Sequence, residues 1–398
     1  MKVLSIGAGK EQIFSIQEAK RMGLIVIGID GDKDAPGFAY CDVTYNIDLK
    51  EVNDIIKVAR KHQIKFVLPV PIGGSLITIG KVNDELNLKG ISETAAISFV
   101  HKSEFYRCLE VLNLPRPKQI ILKESKSKIH ELKRKINIIG YPCVIKPSIG
   151  SGSRGVGVIR SNEELDQLLE FHHSTLLKDE ATLIESFIEG TEYGIDGRIV
   201  NGKFELLLIR EKILTNLPFR QEIGYLAPAR IHPPLEQSII LILQQLTTLI
   251  QANNCLFHAD IIINNDGIFV IESSGRPAGL NLMTHFIPHV IGFNPISNFI
   301  AYLMGKALYC PNIKVNKVYM ICFFDLKPGI VKVIPQKDKD FNVQKVLYYD
   351  CQLRVNEFIH VVKQGKDIVN RGYFIVCGDD FKNCEGIAEN IFSKFIIE

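Results

Sequence analysis

No run of apolar residues in this 398-residue chain approaches the roughly 20 that a bilayer-spanning helix needs. The longest candidate, Ser238 to Ile250, contains two glutamines and falls well short. The nine cysteines include no Cys-x-x-Cys pair and no metal-like Cys/His spacing, and an odd total excludes a complete disulfide framework within one chain. Charge of either sign is almost balanced, 47 Lys and Arg against 44 Asp and Glu, so no global field draws the chain to nucleic acid. There is no internal repeat and no low-complexity tract. The opening apolar run, Met1 to Gly7, is too short for a signal peptide. These absences predict a reduced, cytoplasmic protein whose partners are neither membranes nor nucleic acids.

What is present is a large apolar fraction, 46%, in a chain long enough for two or three domains. Residues 1 to 95 alternate apolar runs with helical patterns: Val3 to Ile6, Glu11 to Met22, Leu24 to Ile29, Leu49 to His62, then Phe66 to Val70. That order predicts an α/β domain with a parallel sheet, Rossmann-like in form. Its first turn, Gly7-Ala-Gly9-Lys-Glu-Gln12, imitates a dinucleotide fingerprint, and Asp30 imitates the ribose-binding acid. Gln12 stands where the third glycine belongs, so a doubly wound domain without NAD is expected. Between Lys118 and Lys135 seven basic residues surround Ile129, Leu132 and Ile136, the pattern of an amphipathic helix with a solvated face.

Three further segments carry chemistry. Tyr141 to Ile159 reads as a strand containing Lys146, a loop with Gly150, Ser151, Gly152, Ser153, Gly155 and Gly157, and a second strand. Such a loop leaves backbone N–H groups free to surround an anion, with the serine hydroxyls as extra donors. No helix clearly follows, which argues for a hairpin lid rather than a Walker site. Next, Thr182 to Gly194 holds Glu185, Ser186, Phe187 and Ile188 near a strand end and then Glu192. A carboxylate there can accept from ribose hydroxyls, and extended backbone can pair with an adenine edge. The third segment, His258 to Arg276, reads as two strands joined by Asn264-Asn265-Asp266-Gly267. The hairpin brings Asp260 and Glu272 near each other, and paired hard oxygen ligands suit Mg²⁺. Arg276, four residues on, has the fork that holds a phosphate or carboxylate. An ordinary hairpin with exposed acids is the alternative.

Taken in order, Lys102 before a helix, Lys146 before the glycine loop, Glu185 and Glu192, then Asp260, Glu272 and Arg276 resemble the ATP-grasp superfamily of ligases over nearly the whole chain. The resemblance implies an N-terminal α/β domain at 1–95, a lid subdomain at 96–190, a large subdomain with the metal site at 191–310, and a β-rich C-terminal subdomain at 311–398. It also implies ATP contacts by Lys102, Lys146, the loop Ser151, Gly152, Ser153 and Gly155, the adenine-facing segment Glu185 to Ile188, the ribose acceptor Glu192, and Lys212. Asp260, Glu272 and Ser274 are the implied metal set, for two Mg²⁺ ions, with Mn²⁺ as a substitute. Ser274 stands where the family commonly has asparagine, and Asp260 where it often has glutamate.

Within the superfamily, Glu272-Ser-Ser-Gly-Arg-Pro-Ala-Gly279 and Pro218-Phe-Arg-Gln-Glu222-Ile-Gly-Tyr225 resemble carboxylate–amine ligases of the L-amino acid ligase kind. A histidine is frequent in those relatives where this chain has Tyr225. Implied substrate contacts are Glu222, Tyr225, His258, Arg276 and Gly279, with Arg276 and Lys146 acting on the acyl-phosphate and the phosphates. The expected reaction joins a small-molecule carboxylate to an amine, in a protein that a homodimer would suit. Two rival readings stay open: bicarbonate activation as in biotin carboxylase relatives, and a nucleotide sensor without turnover.

Overall fold

The computed structural model describes residues 1–122, 128–147, 156–166, 181–217, 219–313, 315–363 and 365–398. The N-terminal sheet is parallel, β1 (Lys2–Ile6), β2 (Ile25–Asp30) and β3 (Val43–Asn46), with α1 (Ile13–Arg21) crossing from β1 to β2 and α2 (Val52–His62) following β3. The α2 face Ile55, Ile56, Val58 and Ala59 is buried and its last turn is basic, the arrangement that complements a helix dipole. The expected strand at 66–70 is reduced to a bridge between Leu4 and Val67. Pro69 and Pro71 lack the N–H groups that would extend the ladder.

A four-stranded antiparallel sheet follows, built from β4 (Gln119–Leu122), β5 (Cys143–Pro147), β6 (Gly157–Ile159) and β7 (Thr182–Ser186) in the order β4-β7-β5-β6. The helix Lys128–Ile139 buries Leu132 and Ile136 in the small core of this unit, as the amphipathic spacing predicts.

The largest sheet has eight strands: β8 (Thr191–Val200), β9 (Lys203–Leu214), β10 (Glu222–Ala227), β11 (Cys255–Asn264), β12 (Gly267–Ser274), β13 (Val318–Phe323), β15 (Val346–Cys351) and β17 (Gly372–Gly378). Their order is β12-β11-β8-β9-β10-β13-β17-β15, so the C-terminal strands extend the same sheet. Three short strands, β14 (Gly329–Val333), β16 (Phe358–Ile359) and β18 (Ile396–Ile397), form a separate sheet. Alternation along β11 decides which side carries what. Phe257, Ala259 and Ile261 are buried, and Phe257 meets Phe99 and Phe204 edge to face. Burying a side chain of that size contributes about 1.5–3 kcal/mol. The intervening residues His258 and Asp260 therefore project from the opposite face. No helix among the described residues is long and apolar enough to cross a membrane, and all nine cysteines are free thiols.

Candidate active site

The hairpin β11–β12 turns at Asn265-Asp266, where the Asn264 side chain accepts from the Asp266 N–H at 2.8 Å. From that turn the register runs regularly to Ile261 opposite Val270 and then slips by one residue, so that Asp260 faces Glu272 and His258 faces Ser274. Without the slip Asp260 would oppose Ile271. The bulge re-aims the strand, and all four polar residues share one face.

The neighbouring strands complete that face. Gly194 on β8 lies between Asp260 on β11 and Arg210 on β9 in cross-strand register. A Cβ at Gly194 would stand 2.3 Å from the Arg210 Cζ, so glycine here leaves the space the guanidinium fills. Arg210 is fully buried; its Nε donates to Asp196 Oδ2 at 2.7 Å and its Nη2 lies 3.2 Å from His258 Nδ1. Its guanidinium sits over the Tyr225 ring, 4.3 Å from the centroid. Burial opposes its charge, but Asp196 and its other anionic neighbours hold Arg210 above the ordinary arginine range.

Lys212, 3% exposed, reaches Asp260 Oδ2 at 2.8 Å, Glu222 Oε1 at 3.2 Å and Glu192 Oε2 at 3.8 Å. Desolvation pulls its pKa down, and these three carboxylates outweigh that and keep the ammonium charged. Burial likewise opposes the charge on Asp260, yet Lys212, His258 and Arg210 hold its carboxyl down to about 2. Asp260 Oδ1 is buried without a hydrogen-bond partner, and Glu272 makes no ion pair among the described residues. Ligand atoms of His258, Asp260 and Glu272 lie within 4.8 Å of one another. An orphaned carboxylate oxygen beside a second carboxylate fits a hard cation such as Mg²⁺.

A second cluster lies where the four-stranded sheet meets the cavity. Lys146 Nζ is 2.6 Å from Glu185 Oε2, and Tyr106 donates its hydroxyl hydrogen to Glu185 Oε1. Burial disfavours the Lys146 charge; Glu185 first, then Tyr106 and Glu272, restore it and raise its pKa. The Ser186 and Phe187 amides donate to Lys118 O and Pro142 O. Arg220 joins this wall, donating to Glu192 Oε1 at 2.6 Å and lying over the Phe187 ring.

One cavity of ≈ 480 Å³ gathers Lys102, Lys146, Glu185 to Ile188, Glu192, Lys212, Glu222, Tyr225, His258, Asp260, Glu272, Arg276 and Gly279. Arg276 Nη1 donates to Pro277 O at 2.9 Å. The expected loop residues Ser151, Gly152, Ser153 and Gly155 lie outside the described residues. Ser274 is set opposite His258, two pairs further from the turn than Glu272.

Five contributors went unread in the sequence: Tyr106, Asp196, Arg210, Arg220 and Glu11. Asp196 and Arg210 follow the period-two alternation of Glu192 and Lys212 on the same strands, and Tyr106 is one helical turn beyond Lys102, so a signal existed. Glu11 had none. Its carboxylate accepts from the Leu280 N–H at 2.6 Å, and a Cβ at Gly279 would stand 3.1 Å from both of its oxygens. The loop that imitates a dinucleotide site thus walls this cavity instead. Asp30, at the end of β2, accepts through Oδ2 from the Ala8 N–H in the turn after β1 at 2.7 Å.

Residues 139–284 match the ATP-grasp domain family. A formate-dependent phosphoribosylglycinamide formyltransferase from Methanocaldococcus jannaschii is 22% identical over 297 residues, 71% of this chain and 72% of that one. An L-amino acid ligase from Bacillus licheniformis superposes with a TM-score of 0.82 at 18% identity, covering 100% of this chain and 98% of that chain. The biotin carboxylase domain of a Hydrogenobacter thermophilus 2-oxoglutarate carboxylase, solved with MgADP and bicarbonate, gives 0.70 at 17% identity, covering 100% and 90%. Residues 139–284 thus carry an ATP-grasp domain, and the fold of the chain matches that of the L-amino acid ligase and the biotin carboxylase domain.

Proposed function

We propose that this ATP-dependent carboxylate–amine ligase activates a small carboxylate, an amino acid or a related metabolite, as its acyl-phosphate and transfers the acyl group to an amine, releasing ADP and phosphate. The observation that carries this reading is the pairing of Asp260 and Glu272 on the floor of the cavity that also holds Lys146, Lys212 and Arg276. Lys102 and Lys146 would face the nucleotide phosphates, and the backbone at Ile188 would meet the base edge, since the Ser186 and Phe187 amides already have acceptors. Glu192, steadied by Arg220 and Lys212, would accept from the ribose. Asp260 and Glu272 would hold Mg²⁺, which neutralises phosphate charge when bound.

Phosphoryl transfer asks the protein mainly for positioning and charge neutralisation. The substrate carboxylate oxygen attacks the γ-phosphorus and the β–γ bridging bond breaks, leaving ADP. Arg276, beside the metal acids, would bind the acyl-phosphate through its planar fork. The amine then attacks the carbonyl carbon, loses a proton, and phosphate departs. Glu222 and Tyr225 would border the acceptor.

Formate is a second candidate carboxylate, because the formyltransferase relatives match most of the chain. The test is phosphate release from Mg-ATP with pools of amino acids, with formate plus amines, and with bicarbonate alone, each against Lys146→Ala. Release that requires one acid–amine pair supports ligation and names the acid. Release with bicarbonate alone transfers the reading to carboxylation. Tight ATP binding without turnover on any pool favours a sensor.

A further inference from the structure

The cluster where the four-stranded sheet meets the cavity contains one residue without a role so far, Tyr106. Lys146 on β5 is paired with Leu183 on β7, which makes Glu185, two residues on, its diagonal neighbour on the same sheet face. Tyr106 reaches that face from the helix Lys102–Val111, where it stands four residues after Lys102 and so on the same side. Its hydroxyl is engaged twice. An ionised carboxylate can only accept, so the hydroxyl hydrogen goes to Glu185 Oε1. An ammonium can only donate, so Lys146 Nζ, 3.4 Å away, gives an N–H to the phenol oxygen. Burial raises the pKa of the phenol, which therefore keeps the hydrogen this arrangement needs. With the ion pair charged, neither direction can be reversed.

The ammonium has three N–H groups. Glu185 Oε2 takes one at 2.6 Å and the Tyr106 oxygen takes a second, and tetrahedral geometry then fixes where the third points. Tyr106, Lys146 and Glu185 are only 2%, 7% and 3% exposed, so water competes little for these bonds. Lys146 and Glu185 line the cavity, and Tyr106 stands behind them. We propose that Tyr106 is a positioning residue that acts through Lys146: by engaging both members of the Lys146–Glu185 pair, it aims the remaining ammonium N–H at a nucleotide phosphate. This rests on the reading of Lys146 as a phosphate contact. Tyr106→Phe would keep the ring and its packing, leave Glu185 Oε1 short of a donor and let the ammonium turn. A hydrogen bond from a charged donor is worth a factor of about ten or more in affinity.

The test compares ADP with adenosine, which has the same base and ribose and no phosphate, by titration calorimetry on the full chain with Mg²⁺ present. Tyr106→Phe is expected to weaken ADP binding about ten-fold and to leave adenosine within about two-fold of the wild type. In a Lys146→Met background the same substitution should cost ADP less than about two-fold, because the group it positions is gone. Equal losses for ADP and adenosine would reduce Tyr106 to packing and overturn the inference, as would an unchanged ADP affinity or an additive double variant. A wild type that binds both probes, with no loss of ADP in Lys146→Met, removes Lys146 as a phosphate contact and this inference with it. One that binds neither removes the nucleotide site itself. Because a variant can fail to fold, spectra of the wild type labelled with ¹⁵N-lysine provide a second measurement. A slowly exchanging Lys146 ammonium signal, present before ligand and shifted by ADP but not by adenosine, is expected; a Lys146 signal that ADP leaves unmoved rejects the positioning role.

Discussion

Two regions of this molecule carry nucleotide-site signals, the Gly7–Gln12 loop with Asp30 and the central-sheet face with Asp260 and Glu272, and they differ in what their polar atoms are left to do. In the first, Asp30 accepts from the Ala8 and Asp32 amides, and Gln12 donates to Pro71 O, so both signature side chains are engaged within the N-terminal domain. In the second, Lys212, Arg210 and Asp196 are tied to one another or to Asp260, yet an oxygen of Asp260 remains buried without a partner. A buried polar atom without a partner costs free energy, about 1–3 kcal/mol, which a ligand can recover. Residual bonding capacity, more than residue type, separates a binding site from its imitation.

The largest effect that would break this comparison is at Glu272. Glu272→Gln is expected to lower turnover by about 10³-fold while leaving circular dichroism unchanged, because it removes charge from the site and nothing from the core. Retained turnover would place Glu272 with Asp30, among acids that serve only the fold. Next is Arg210→Met, expected to destabilise the protein by about 3–5 kcal/mol in urea melts, since it strands the buried Asp196 charge. Pairing it with Asp196→Asn should recover part of the loss; an additive double variant would show that the pair is not coupled.

Asp30→Ala should cost only about 1 kcal/mol, through the loop hydrogen bonds, and leave turnover intact. A large drop in turnover would reveal a functional role for the loop acid. The smallest effect belongs to a polar group enclosed away from both regions. His285 is hemmed in by Phe14, Tyr348 and Tyr373, and burial lowers its pKa. The unfolded chain then protonates first, so this histidine's contribution is constant above about pH 6.5 and declines as pH falls below it. His285→Gln should flatten the acid side of the stability–pH curve; an unchanged slope would assign it to other groups.

Much of this was readable from local pattern. The parallel sheet at the N-terminus, the amphipathic helix at 128–139 and the hairpin at 255–274 follow from apolar periodicity and turn chemistry, which are local properties. The strand expected at 66–70 did not form, because two prolines interrupt the donors a ladder needs. Lys146, Lys212, Asp260 and Glu272, which line one cavity, were singled out in the sequence because their types and order suit a triphosphate. Glu11 was not, because its place beside Leu280 depends on how two distant segments pack.

Sequence alone determined which residues alternate to one face of each strand, since side chains point to opposite sides with period two whatever the context. Tertiary structure decided the rest. The bulge at Ile271 turned an Asp260–Ile271 pair into an Asp260–Glu272 pair. The empty space at Gly194 let Arg210 reach across to His258. The physical reason is that register shifts and shared space depend on neighbours far away in the chain, and no local pattern contains them.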